Sequence, residues 1–362
     1  MNEVTNKTKI LILLLNNFDE SSKPLTGAQI RKIINYSYKE SIDLEQLTLK
    51  NEKLINNIAS SCDLNATQIS HQLSYGLKLG IKINEWQKHG IWVLSVFDYN
   101  SFPLKLLEKA RQKISPLLFG AGNLNLLSNP SIGIVGSRDI NPSTENYIKK
   151  AVSKINEYGF SIVSGAAKGV DILAMNESLE NGNCSIGILG SDLIKNSRDR
   201  ETINFINNDQ LLLISPEFPD AHWTIGRAMG RNKYIYLLSS SVLVGQITQD
   251  SGGTWSGIKE SSKNNWNKVY VKSSNLDPDL RDKLLAMNEV LLDIDFKLEE
   301  IEIKNDISIE MLRLEELASH LGKNISSTKS YLSKNNLSCL DYSKPKKKIS
   351  AKPEEDKQSE LF

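Results

Sequence analysis

Read as a pattern of apolar and polar positions, the chain divides into stretches of different period. Over residues 1–125 apolar residues recur mostly at helical spacing. Thr26 stands as an N-cap before a segment through Ile33, and Thr67 before another through Leu77. Each is short, so these helices need one another's apolar faces to be stable. From His89 to Gly122 the period changes. Ile91–Leu94 and Pro116–Gly120 suit short strands around a turn at Asp98–Pro103, and Gly122–Leu124 reads as a link to the next unit.

From Ser131 the pattern becomes regular. Strands are expected at Ile132–Val135, Phe160–Val163, Ser185–Leu189, Leu211–Ser215, Val242–Gly245 and Val269–Val271, with Val290–Ile294 as a further one. Helical segments such as Ser143–Tyr158 and Asp171–Glu180 lie between them. Near-continuous apolar strands alternating with helices predict a doubly wound α/β domain whose parallel sheet is covered on both faces. Within residues 306–342, Ile309–Leu321 places Met311, Leu312, Leu314, Leu317 and Leu321 on one face, Gly322 stops that helix, and Ser326 begins another. A helix-turn-helix-like unit and a plain docked hairpin both fit. The expected division is 1–125 mostly helical with lead-in strands, 126–300 the sheet domain, 301–342 a small helical domain, and 343–362 a disordered tail.

Composition narrows the function. The net charge is only +1, so a surface for polyanions must be a local patch. Cys62, Cys184 and Cys339 are far apart, as free thiols in a reduced compartment would be. The histidines have no metal-ligand spacing, and neither a metal nor a cofactor is expected. The apolar run starting at Ile10 meets Asn16, Asn17 and Asp19 without a cleavage site, and no run has transmembrane length, which places the chain in the cytoplasm.

In such a sheet, ligands bind beyond the carboxyl ends of the strands. After the first strand come Gly136, Ser137 and Arg138, then Asn141 as a cap and Pro142 at a helix start. Small residues let the backbone approach a phosphate, and Arg138 can fork two of its oxygens. After the second come Gly165, Lys168 and Gly169, an anion nest in pattern, with Asp171 read as a helix cap. Neither turn has the spacing of a triphosphate or dinucleotide loop. The connection after the fourth strand carries Glu217, His222, Trp223, Arg227, Arg231, Asn232 and Lys233. After the fifth come Gly252, Gly253 and Thr254, then Trp255, which suits either base stacking or core filling. Neither arginine, Arg138 nor Arg231, is expected in the core.

These turns, taken in order, resemble the DNA-processing protein A (DprA/Smf) family. Val135-Gly136-Ser137-Arg138 is similar to its first signature, and Val163–Asp171 to its second. Arg231-Asn232-Lys233-Tyr234-Ile235 is similar to its Arg-Asn-Arg-Ile-Ile segment, and Ser251-Gly252 to its Ser-Gly turn. Phe102-Pro103 and Pro116–Gly122 resemble the family's approach to the sheet. The resemblance implies a Rossmann-like fold, a basic pocket for single-stranded DNA with Arg138, Lys168, Arg231 and Lys233 on phosphates, dimerisation, and delivery of the strand to the RecA recombinase. It also implies an N-terminal helical domain and a C-terminal winged-helix-like one. The family's Phe-Pro is replaced by Ala228-Met229, and its last arginine by Lys233, so the chain reads as a divergent, non-enzymatic member. The alternative is a nucleotide-binding sensor or phosphoribohydrolase-like enzyme with Glu260 or Glu217 as acid/base, because Gly252-Gly253-Thr254 followed by a glutamate resembles that superfamily. Finally, Gln358, Leu361 and Phe362 resemble the short motif by which bacterial proteins dock on the replicative sliding clamp.

Overall fold

The computed structural model describes residues 3–301, except 50, 99, 100, 111, 112, 249–251 and 275. The small C-terminal domain, the tail and the clamp-like motif therefore lie outside the described residues.

Five helices come first: α1 (Asn6–Leu15), α2 (Gly27–Lys39), α3 (Glu52–Cys62), α4 (Ala66–Leu73) and α5 (Gly76–Lys88). Thr26 caps α2 with a full capping box, but α2 runs on to Lys39. The segment from Thr67 is two helices, because Asn65 caps α4 and the chain turns at Ser74. The apolar run from Ile10 to Leu14 is the buried centre of α1. No helix of the described residues is long and apolar enough to cross a membrane.

Next come β1 (Ile91–Ser95), α6 (Leu104–Ala110) and β2 (Leu117–Ala121). The expected turn between the strands is longer than read, because α6 follows Pro103. The alternating part is β3 (Ser131–Val135), α7 (Pro142–Glu157), β4 (Ser161–Ser164), α8 (Val170–Glu180), β5 (Ser185–Ile188), α9 (Leu193–Ser197), α10 (Arg200–Asn207) and β6 (Leu211–Ser215). It continues with α11 (Ile225–Leu238), β7 (Ser241–Val244), α12 (Gly252–Asn264), β8 (Val269–Lys272), α13 (Pro278–Ala286) and β9 (Val290–Leu292).

Among the described residues these nine strands form one sheet in the order β1-β2-β6-β5-β4-β3-β7-β8-β9. The strands expected for the sheet domain, β3 to β9, pair in parallel with one another, as the pattern predicts; two further strands are added antiparallel at one edge. β1 pairs antiparallel with β2, and β2 antiparallel with β6. The two lead-in strands thus extend the main sheet, which runs across the expected boundary at 125/126.

Alternate strand residues face opposite sides. Ile132, Ile134 and Leu243 pack under α7 and α8, while Val135, Val242 and Val244 pack with α11 and α12. A third apolar body joins α1–α5 to Leu211 and Leu213 of β6 and to Met175 and Leu179 of α8. A polar lock fixes α1 on β1: the Asp98 carboxylate accepts from the Ser95 amide at 2.6 Å and the Thr8 hydroxyl at 2.8 Å.

At the far edge, burial lifts the Glu289 carboxyl from an ordinary 4.5 to about 7, opposed by the Val269 amide donating to it at 3.2 Å. Below pH 4.5 the group is protonated whether folded or unfolded. Between 4.5 and 7 the unfolded chain ionises first, so stability falls as pH rises and stays reduced above 7. Glu289→Gln should therefore be more stable than the parent at pH 8 by about 1–2 kcal/mol, allowing for solvent screening. The gap should close by pH 4, and melts of both proteins across that range would reject the idea if it stayed constant.

Candidate nucleic-acid interface

The strand order reverses between β3 and β7, which pair with each other although two βα units and more separate them in sequence. The turns after these strands, with the β4 turn alongside, therefore meet over a crevice at the carboxyl edge.

After β3, the Ser137 amide donates to the Gln246 carbonyl at 2.9 Å, tying this turn to the one after β7. Asn141 caps α7, with Pro142 in its first turn, as the sequence suggests. The β4 turn crosses directly beneath. Gly169 has φ +92°, and a Cβ there would lie 2.3 Å from the Ser137 carbonyl oxygen. Only glycine permits both that conformation and that approach. The Val170 amide then donates to Ser137 O at 3.1 Å. From the β7 side, the Thr254 hydroxyl donates to Gly136 O at 3.1 Å, and Asn232 Nδ2 to Gly253 O at 3.2 Å.

Beneath these turns lies an ion pair. Arg231 Nη2 stands 3.4 Å from Asp171 Oδ2, and both side chains are buried, 8% and 7% exposed. The amides of Gly136 and Ala167 also donate to the Asp171 carboxylate, so one side chain joins the β3 turn, the β4 turn and α11. Burial raises the Asp171 carboxyl, with the Arg231 charge and the two amides opposing; burial likewise lowers Arg231. Two expectations change here. Asp171 is not the cap of α8, a position held by Gly169 without a side-chain bond. Arg231 is a core residue, because Gly165 has no Cβ: one built there would fall 1.5 Å from Arg231 Nη1.

The structure thus brings together Gly136, Ser137, Arg138, Gly165, Lys168, Gly169, Gly252, Gly253 and Thr254, with Arg231 under them. Arg138 and Lys168 are exposed, and Lys168 makes one loose pair with Asp139 at 3.6 Å. Arg138 makes no hydrogen bond or ion pair among the described residues. Arg227 lies on the same edge but is engaged, with Nε donating to Glu217 at 3.1 Å and Nη1 to the His222 carbonyl at 2.7 Å. Lys233 leaves the group. It lies two turns along α11, and its amine donates to Lys113 O at 2.6 Å, on the α6 side. Trp255 is 4% exposed inside the first turn of α12, so it fills the core and is closed to a base.

Residues 93–278 match the family model described as DNA recombination-mediator protein A. The chain belongs to that family. It is similar to the DNA processing protein DprA of Streptococcus pneumoniae, 28% identical over 230 residues that cover 63% of this chain and 76% of that protein. The Protein Smf of a Synechocystis species is 31% identical over 144 residues, 38% of this chain and 36% of that one. The X-ray structure of the S. pneumoniae DprA superposes with a TM-score of 0.63 at 23% identity, covering 83% of this chain and 99% of that chain. The family's Rossmann-like fold is therefore this chain's fold, with its antiparallel edge included.

Proposed function

We infer that this chain binds single-stranded DNA along the carboxyl edge of its sheet and serves DNA processing or recombination. One observation carries the reading. In a member of this family, glycine-bearing turns from β3, β4 and β7 interlock at the switch point and leave Arg138 and Lys168 facing outward. Helix N-termini and closely approaching backbone suit phosphate oxygens. A crevice at a sheet edge takes a flexible strand and rejects a rigid duplex. We propose that the binding is not enzymatic. The Glu217 carboxylate is held by Arg227, and Glu260 lies about 12 Å along α12 from its N-terminus.

Anisotropy titrations with labelled single strands and duplexes test this. Affinity for the single strand should be higher, and its logarithm should fall linearly with log salt, with a slope of about −0.7 for each phosphate neutralised. Arg138→Ala should weaken binding by about 1–3 kcal/mol and leave the melting temperature unchanged. Equal affinity for duplex, or a flat salt dependence, would sink the assignment.

On the family resemblance, we also propose a cytoplasmic homodimer that passes the strand to a RecA recombinase. Gln358, Leu361 and Phe362, outside the described residues, are proposed to dock on the sliding clamp. Sedimentation, RecA-filament assembly on bound strands, and calorimetry with the clamp are the respective measurements.

A further inference from the structure

The sequence contains five tryptophans, and their environments differ sharply. Trp86, Trp255 and Trp266 are at most 4% exposed, whereas Trp223 is 54% exposed. Trp92 lies against Gly120 and donates its indole N–H to Gly122 O at 3.1 Å. Trp223 immediately precedes Thr224, the N-cap of α11. A side chain in that place ordinarily packs on the fourth residue of the helix. Here that residue is Ala228, too small to cover an indole. Ile225 and Met229, 67% and 44% exposed, follow four residues apart and so share one helix face. The result is an open apolar strip at the start of α11.

Its position gives it meaning. The loop carrying Trp223 leaves the carboxyl end of β6 and crosses the end of β5. There the Asp192 amide donates to Ala221 O at 2.8 Å, and a Cβ on Gly190 would come 2.9 Å from Arg227 O. The strip therefore continues the same edge as the interlocked turns. In the sheet, β4 and β3 stand one and two places from β5. At about 4.8 Å per strand, the turns lie about 5–10 Å along the edge from the strip. That span is within reach of neighbouring nucleotides of one extended strand.

We propose that Trp223, with Ile225 and Met229 beside it, is a stacking platform for unpaired bases of the strand whose phosphates the β3 and β4 turns hold; this rests on the DNA-binding reading above. An exposed indole stacks on any base, so the platform is tolerant of sequence. It also selects for single strands, because bases in a duplex are already stacked on one another. The sequence itself points to Trp255 as the aromatic candidate. The fold reverses the choice by burying that ring and exposing the other.

The test uses the full chain and two labelled oligonucleotides of equal length, one of thymidines and one wholly abasic. The pair has the same phosphates and differs only in bases. Trp223→Ala should weaken binding of the thymidine strand by about 5- to 150-fold and leave the abasic strand's affinity unchanged. Trp223→Phe should retain most of the affinity for thymidines, while the quenching of tryptophan emission expected when the parent protein binds should be largely lost. Loss of affinity for both oligonucleotides alike, or parental affinity of Trp223→Ala for both, overturns the platform. Failure of the parent protein to bind either oligonucleotide is a distinct result, which rejects the DNA-binding reading itself and the platform with it.

Discussion

Arg231→Ala should destabilise the protein by about 3–5 kcal/mol, which in a chain of this size lowers the melting temperature by on the order of 10 °C. The guanidinium and the Asp171 carboxylate are buried together. Truncating one partner leaves the other charge without a counterion in a place that water does not reach. The Asp171 carboxylate is buried, and the neighbouring amides of Gly136 and Ala167 favour its charged form where it stands. The cost therefore falls on the β3 and β4 turns, and DNA affinity should drop through their loosening. Arg231→Met combined with Asp171→Leu removes both charges and should recover much of the stability, since apolar side chains of similar volume often replace a buried pair at little cost. Thermal melts of the three proteins decide it. An Arg231→Ala melt within a degree or two of the parent would mean that the pair contributes nothing.

Gly165→Ala should do nearly the same damage by another route. The added methyl would stand 1.5 Å from Arg231 Nη1 and 1.9 Å from its Cζ, so the guanidinium must leave its place. Once displaced, it no longer pairs with Asp171, and the variant acquires the unpaired carboxylate of Arg231→Ala. A loss of about 3–5 kcal/mol follows. The two substitutions act on one interaction, so they should not add. With Arg231 already alanine, the methyl has room, and the double variant should melt close to the Arg231→Ala single. Additive losses in this double-mutant cycle would show that Gly165 is intolerant for a reason unrelated to the guanidinium.

Both predictions concern features that local sequence could not display. What the sequence determined by itself was whatever depends on neighbours along the chain. The period of apolar residues located β3 to β9 to within a residue or two, because a strand buried on both faces must be apolar throughout. The cap at Thr26 and the Asn141-Pro142 start of α7 were equally legible, since a cap acts on amides two or three residues away. The glycine-bearing turns with Arg138 and Lys168 were legible for the same reason, since each is a run of consecutive residues. The tertiary structure alone decided which side chains meet at those turns. Arg231 and Asp171 are 60 residues apart and meet only because β3 and β4 are adjacent in the sheet and α11 crosses beneath their turns. Lys233, two residues beyond Arg231, points to the other side because α11 turns by about 100° per residue. Trp255 and Trp223 offer the same ring, yet one is sealed in the core under α12 and the other stands open before the start of α11. The antiparallel β1–β2 edge belongs to this group as well, since nothing in two short apolar runs states which free sheet edge they will pair with. Contacts between residues distant in sequence exist only once the sheet order has been chosen, and that order is set by how all the apolar faces can be covered at once.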